Sequence, residues 1–262
     1  MNLSSILGIL AALAVFFISI FTATPSRGIF LDPHGILIVI GGTIAASLIS
    51  FKLPVFVTIF KLFFNKFLGR DAQKFDSAIK EIVELSKNNR ENPSYLKDNS
   101  SSIKNPFLRE AIEMMVRGGM SAEELDTILM KRAATHLKRY EEEAMIFKTI
   151  GKCPPAFGLM GTTLGMIALM QNMGSPDSYK TLGPSMAIGL VATLYGIAIT
   201  NLILIPMGEN LSKLSKEDEI MRDMVIDGVQ LIRDKVHPLI VEEHLLSYLL
   251  PNERAKITRN AA

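Results

Sequence analysis

Residues 155–206 read PAFGLMGTTLGMIALMQNMGSPDSYKTLGPSMAIGLVATLYGIAITNLILIP and hold two apolar stretches, Pro155 to Met173 and Leu182 to Pro206, free of Asp, Glu, Lys, Arg and His. Each is long enough to cross a hydrocarbon core of about 30 Å as a helix. The polar turn between them, Gly174 to Lys180, is short, so the two helices are expected to lie antiparallel and adjacent as a transmembrane hairpin. One stripe of each helix is small or polar. Gly161, Gly165, Ala168 and Asn172 recur in the first beside Thr162 and Thr163; Gly189, Ala192, Thr193, Gly196 and Thr200 recur in the second. Small residues let backbones approach, and hydroxyls offer oxygen ligands in an apolar wall. The stripes therefore serve helix packing alone, with each threonine bonding its own backbone, or they line an ion path. Cations in membranes also pass along carboxylates, and this hairpin has none. An ion path here requires a partner chain that brings the titratable acid.

The whole chain supports a membrane reading. Its 262 residues are 48% hydrophobic yet 21% charged, with a mean hydropathy of +0.29, so the charge must be segregated from the spans. Of the 28 Lys and Arg residues, only Arg27 and Lys180 lie outside residues 52–152 and 207–262. By the positive-inside rule those long segments are cytoplasmic, and Thr24 to His34 and Gly174 to Lys180 face outward. A net charge of +2, with acids and bases interleaved, gives no footprint for nucleic acid. The single cysteine, Cys153, excludes an internal disulfide and is expected near the inner membrane face as a small apolar filler.

Two further spans precede the hairpin. Residues 3–21, LSSILGILAALAVFFISIF, lack the basic lead-in of a secretory signal and are read as a retained first span. Ile36 to Phe51 makes a second, interrupted upstream by Asp32, Pro33 and His34 and so beginning no earlier than Gly35; Lys52 would snorkel to the inner interface. Four spans put both termini inside.

The cytoplasmic parts read as helices. Residues 52–68, with Lys52, Lys61 and Lys66, suit an amphipathic helix on the inner membrane surface. A helix beginning at Asp71 has Phe75, Ile79, Ile82 and Val83 inward, and gives way at Asn88 to Asn105 to an exposed loop or short helices. A second amphipathic helix buries Phe107, Leu108, Ala111, Ile112 and Met115 and stops at Gly118-Gly119. Ser121-Ala122-Glu123-Glu124 is a capping box that starts a stalk of about 45 Å, ending at Pro154-Pro155. Leu211, Leu214, Met221, Val225 and Ile232 extend the last span into the cytoplasm, and a final helix, Leu239 to Leu250, lies between Pro238 and Pro251 ahead of a frayed tail.

No catalytic constellation is present. The four histidines, His34, His136, His237 and His244, lack metal-ligand spacing, and His237 and His244 read as a solvated helix face. The GTTLG run from Gly161 lies in a membrane helix and lacks the lysine of a phosphate loop. No cofactor and no enzyme activity are expected.

The segments Pro155 to Thr162 with Leu164-Gly165, Gly183-Pro184-Ser185-Met186-Ala187, Ala192-Thr193-Leu194-Tyr195-Gly196 and Ile205-Pro206 resemble the MotA/PomA family of flagellar stator subunits. The resemblance runs the whole chain and includes Asn105-Pro106-Phe107-Leu108. ExbB and TolQ energisers share the hairpin but have a single span before it. The resemblance implies a pentameric ring around a MotB-like or PomB-like partner whose membrane aspartate carries the ion. Ion flow through that assembly turns the ring, and cytoplasmic charges push on the rotor protein FliG. Carried over by motif, Pro155 and Pro206 are the coupling prolines and Thr162 and Thr193 the ion-path threonines. A threonine at the Thr162 position resembles the sodium-driven type, so transported Na+ is expected, with H+ the alternative.

Family members carry an Arg followed eight residues on by a Glu at the rotor contact. Arg90 and Asp98 have that spacing, although Asn92-Pro93-Ser94 stands where apolar residues are usual; Lys97 and Glu91 compete. The other reading of Arg90 and Asp98 is a pair of solvated loop charges.

The expectation is thus an all-α integral membrane protein of four transmembrane helices with a helical cytoplasmic domain, its third and fourth spans extended into the cytoplasm. The first two spans occupy residues 1–51, the cytoplasmic domain with its rotor-facing loop 52–153, the ion-path hairpin 154–206 and a helical tail 207–262. Localisation is the bacterial inner membrane. The alternatives are an ExbB/TolQ-like energiser of envelope transport and a passive membrane scaffold.

Overall fold

The computed structural model describes residues 3–23, 27–53, 75–173 and 178–255, and all regular structure among them is helical. The expected surface helix beyond Leu53, the helix start at Asp71, the centre of the hairpin turn and the chain beyond residue 255 lie outside the described residues. The chain divides into two compact units. The first takes residues 1–72 and 141–212, the second 73–140 and 213–262.

In the first unit, α1 (Leu3–Ala23) is followed by a 3-10 turn (Arg27–Phe30), α2 (Pro33–Ile36), a π-helical stretch (Leu37–Gly41) and α3 (Gly42–Ser50). The second apolar helix therefore starts at Pro33, two residues before the expected Gly35. Asp32 is its N-cap: the carboxylate accepts the backbone N–H of His34 at 3.3 Å and of Gly35 at 2.6 Å. Pro33 fits the first turn because a helix needs no N–H acceptor there. What reads as an interruption is the cap itself.

The hairpin follows as α8 (Cys153–Asn172) and α9 (Ser178–Ile199), the latter beginning four residues before the apolar run and passing through a π stretch (Thr200–Leu204) into α10 (Ile205–Arg233). Three helical stretches among the described residues are long and apolar enough to cross a membrane, Gly28–Ser50, Ala122–Gln171 and Leu182–Arg233, with Leu10–Ala23 a shorter apolar one. Within the last two, the charge-free segments are 153–171 and 182–208.

The second unit packs α4 (Phe75–Glu91), the short α5 (Tyr95–Asn99), α6 (Pro106–Arg117), the first part of α7 (Ala122–Ile150), the later part of α10 and α11 (Pro238–Leu246). Ile79 and Ile82 on α4, Leu108 and Ile112 on α6, Leu129 on α7, Met224 and Val229 on α10 and Leu245 on α11 are all fully buried. Each such side chain contributes about 1.5–3 kcal/mol of transfer free energy, which is what orders short helices that would not persist alone. Asn105 caps α6 through Phe107 and Leu108 N–H at 3.0 and 3.1 Å, and α6 ends where Gly118 and Gly119 turn to φ 70° and 84°. The capping box forms as expected, Ser121 N–H to Glu124 at 2.8 Å and Glu124 N–H to Ser121 Oγ at 3.2 Å.

Two boundaries move. Helix α4 runs on to Glu91, because Ser86 and Asn89 are buried and donate to the carbonyls of Val236 and Ile232 at 3.4 and 3.5 Å. The last helix ends at Leu246 rather than Leu250, and residues 251–255 form a further helical turn. His237 is not merely solvated: its Nδ1 caps α11 by accepting Leu239 N–H at 3.3 Å.

Candidate functional site

Helices α8 and α9 approach closely because glycines face each other across them. A Cβ on Gly158 would stand 2.9 Å from Thr193 Cα, and one on Gly189 would stand 2.8 Å from Thr162 Cα, contacts that real side chains do not make. Each glycine thus sits opposite the threonine of the other helix. The threonines in consequence meet: Thr162 Oγ1 and Thr193 Oγ1 are 2.5 Å apart. Thr162 also reaches Gly158 O at 3.2 Å and Gly189 O at 3.0 Å, and Thr193 reaches the same two carbonyls at 3.0 and 3.3 Å.

Four oxygens therefore converge, two hydroxyl and two carbonyl, and beyond the helices' own backbone bonds two hydroxyl protons are shared among them. Either hydroxyl rotates between donor directions at little cost, leaving its lone pairs for a cation. Hydroxyl and carbonyl oxygens are the ligand class of hard cations. Close packing of the two stripes is what brings the oxygens together. Among the described residues no His, Cys, Asp or Glu cluster could hold a metal ion.

A carboxylate is fixed at the start of the helix that packs on α9, on a residue that the sequence reading assigns to an outer loop. Asp32 caps α2 with its side chain 11% exposed, and Gly35, whose N–H it accepts, packs on Ala192, the neighbour of Thr193. The Tyr195 hydroxyl donates to Phe30 O, holding the preceding 3-10 turn against α9. The legible signal for the cap was the Asp-Pro pair, an N-cap followed by a first-turn proline, whereas the Tyr195 contact has no local signal.

Pro154 and Pro155 open α8, where missing N–H groups cost nothing. Gly196 of α9 packs directly on their backbone, with Pro154 O its nearest neighbour. One turn on, buried Thr200, the first residue of the π stretch, donates to Gly151 O at 2.8 Å and ties that stretch to the α7–α8 junction. Pro206 does not end a helix. It is the second residue of α10, directly after the π stretch Thr200–Leu204, whose widened turn accommodates a ring that would clash in an ordinary helix. Cys153 is half-buried at the start of α8. The side chain of Asn172 lies outside the described residues.

The expected rotor charges are in the second unit. Arg90 is on the last turn of α4, not in a loop, and its Nη1 donates to Lys235 O at 3.0 Å. Asp98 is exposed on α5, as is Lys97, and Glu91 is exposed at the end of α4. No described hydrogen bond or ion pair joins Arg90 to Asp98.

Residues 99–242 match the profile of the MotA/TolQ/ExbB proton channel family. The chain is 31% identical over 255 residues to the chemotaxis protein PomA of Vibrio alginolyticus, covering 97% of this chain and 98% of that protein. It is also 31% identical to Motility protein A of Borreliella burgdorferi, over 98% of this chain and 97% of the relative. Among solved structures, the flagellar MotAB stator complex from Bacillus subtilis is similar at TM-score 0.85 and 28% identity, with 97% of this chain and 98% of that one covered. A Campylobacter jejuni MotAB chain shares the fold at TM-score 0.85 and 21% identity.

Proposed function

The chain belongs to the MotA/TolQ/ExbB proton channel family, it is a membrane protein and not an enzyme, and we propose that it is the membrane-ring subunit of an ion-driven flagellar stator. The observation that carries this reading is the Thr162–Thr193 oxygen cluster inside a charge-free hairpin. In this reading the cluster lines the path of a cation, sodium by its hydroxyl ligands, with the proton the alternative. Asp32 is engaged in capping α2 through both carboxylate oxygens, so the exchanging acid comes from a MotB-like or PomB-like partner. The near full-length similarity to a chain of a MotAB complex supports that partner.

Four spans, with α1 as the first, put both termini in the cytoplasm. Five copies surround the partner, and the ring contacts lipid outside. Pro155, at the Gly196 contact, and Pro206, after the π stretch, are the points where ion passage bends the hairpin. Arg90 and Asp98 meet FliG of the rotor. Because α1 to α3 precede the hairpin, the ExbB/TolQ-like reading is the less economical.

The test is a clean deletion, complemented in trans, with filaments counted and swimming speed recorded in sodium and in sodium-free potassium media. Paralysed cells with normal filaments are expected, and restored speed should follow sodium. Unimpaired swimming in a strain with no second stator would overturn the motor reading and turn attention to envelope transport. Thr193→Val with unchanged motility and normal assembly would instead favour a passive scaffold.

A further inference from the structure

A concavity of about 670 Å³ opens in the second unit between α6, the first part of α7 and α10, within the usual range for small-molecule sites. Nothing in the motor reading uses it. Its floor is apolar, built from Phe107 and Ile128, while Lys131, Arg132 and His136 line it from one face of α7 and Arg222 from α10.

Arg222 is the most constrained of these cations. Its side chain is 13% exposed, its Nε donates to Asp218 at 2.7 Å, and its guanidinium lies over the Phe107 ring at 4.6 Å. The Nη groups are thereby oriented and left without an acceptor among the described residues. Arg132 is paired with Glu110, whereas Lys131 has no carboxylate partner among them. The positive end of the α6 dipole, at Pro106 and Phe107, borders the same space. Burial and the charge of Arg222 hold the His136 pKa below its ordinary value, with Arg139 acting in the same sense and Asp218 and Glu110 opposing.

Glu110 balances Arg132 and Asp218 balances Arg222, which leaves Lys131 as the uncompensated charge, with the Nη donors of Arg222 and a neutral His136 beside it. A carboxylate has oxygens for one such donor group, whereas a phosphate can accept from Lys131 and the Arg222 Nη groups together and, by its charge, draw a proton onto His136. We propose that this concavity binds a small phosphorylated molecule, its apolar body seated on Phe107 and Ile128 and its phosphate held by Lys131, Arg222 and His136. Guanidinium and ammonium donors suit phosphate oxygens, and the apolar floor distinguishes such a ligand from free phosphate.

The experiment uses the full chain with its membrane partner in lipid nanodiscs, its histidine Cε1 positions 13C-labelled and His136 assigned through His136→Gln. Phenyl phosphate is the probe, with inorganic phosphate, benzoate and a poly-glutamate peptide as comparisons. Phenyl phosphate should shift the His136 resonance saturably, raise its pKa, and bind about tenfold more tightly than inorganic phosphate through the buried ring. Lys131→Gln, an exposed position that does not endanger folding, should weaken binding about fivefold, and Arg222→Gln should weaken it further. A shift that does not saturate, equal affinity for benzoate, or identical titrations in wild type and Lys131→Gln would overturn the proposal. Tighter binding of the acidic peptide would also overturn it, in favour of a protein partner.

Discussion

Thr162 and Thr193 hydrogen-bond to each other at 2.5 Å across the α8–α9 contact, and both hydroxyls also reach Gly158 O and Gly189 O. Thr193→Val preserves the volume and removes one hydroxyl. Because the remaining threonine still donates to a carbonyl, the cost to hairpin stability is about 1 kcal/mol or less. Ion-driven swimming, by contrast, should fall to near zero. Tethered-cell speed measured alongside membrane abundance separates the two, and full speed at normal abundance would remove Thr193 from the path.

Gly196 packs on the backbone of Pro154 and Pro155, where an added methyl meets atoms that cannot swing aside. Gly196→Ala should therefore force α9 away from α8 and destabilise the subunit by about 1–3 kcal/mol. Gly183, on the same helix, has open space where its Cβ would stand, and Gly183→Ala should leave thermal unfolding of the purified subunit unchanged. Equal effects of the two substitutions would contradict the observed approach.

Lys235 adopts φ 52° where α10 ends, and its carbonyl accepts the Arg90 guanidinium at 3.0 Å. Glycine enters that backbone region without steric cost, so Lys235→Gly should stabilise the protein by about 1 kcal/mol. Arg90→Ala removes the carbonyl's partner and should loosen the same turn, measurable as faster amide exchange at residues 234–237. If Arg90 acts on the rotor, the variant loses torque; unaltered exchange with lost torque would assign it to the rotor contact alone.

His136 prefers its neutral form in the folded chain, through burial first and the charge of Arg222 second. A base whose folded pKa is depressed binds fewer protons than in the unfolded chain. Stability should be intact above the ordinary histidine value of about 6.5 and decline as pH falls through it towards the lower folded pKa. His136→Gln should flatten that decline. Thermal unfolding between pH 7.5 and 5 checks it, and parallel curves for wild type and variant would show that His136 does not govern the slope.

Much of this was legible in the chain. Two charge-free runs joined by a polar turn dictate a helical hairpin, since a run of that length satisfies its own backbone in lipid only as a helix. Ser121 to Glu124, Gly118-Gly119 and Asn105-Pro106 set helix ends by local chemistry alone. Where the reading misplaced a boundary, a distant partner was responsible. Ser86 and Asn89 prolong α4 because Val236 and Ile232 supply acceptors some 150 and 143 residues away, and no local pattern reports that.

The sequence by itself determined the membrane hairpin, the small-residue stripes and the threonines, because periodicity, charge segregation and capping are local properties of a chain in water or lipid. Only the tertiary structure decided that Gly158 faces Thr193 and Gly189 faces Thr162, so that two hydroxyls and two carbonyls share one small space. It alone brought Gly35, and with it the Asp32 cap, against Ala192, turned Arg90 to Lys235, and gathered Lys131, His136 and Arg222 around one concavity. The reason is that register between helices follows from which ridges fit which grooves, a choice made by the pair and written in neither helix.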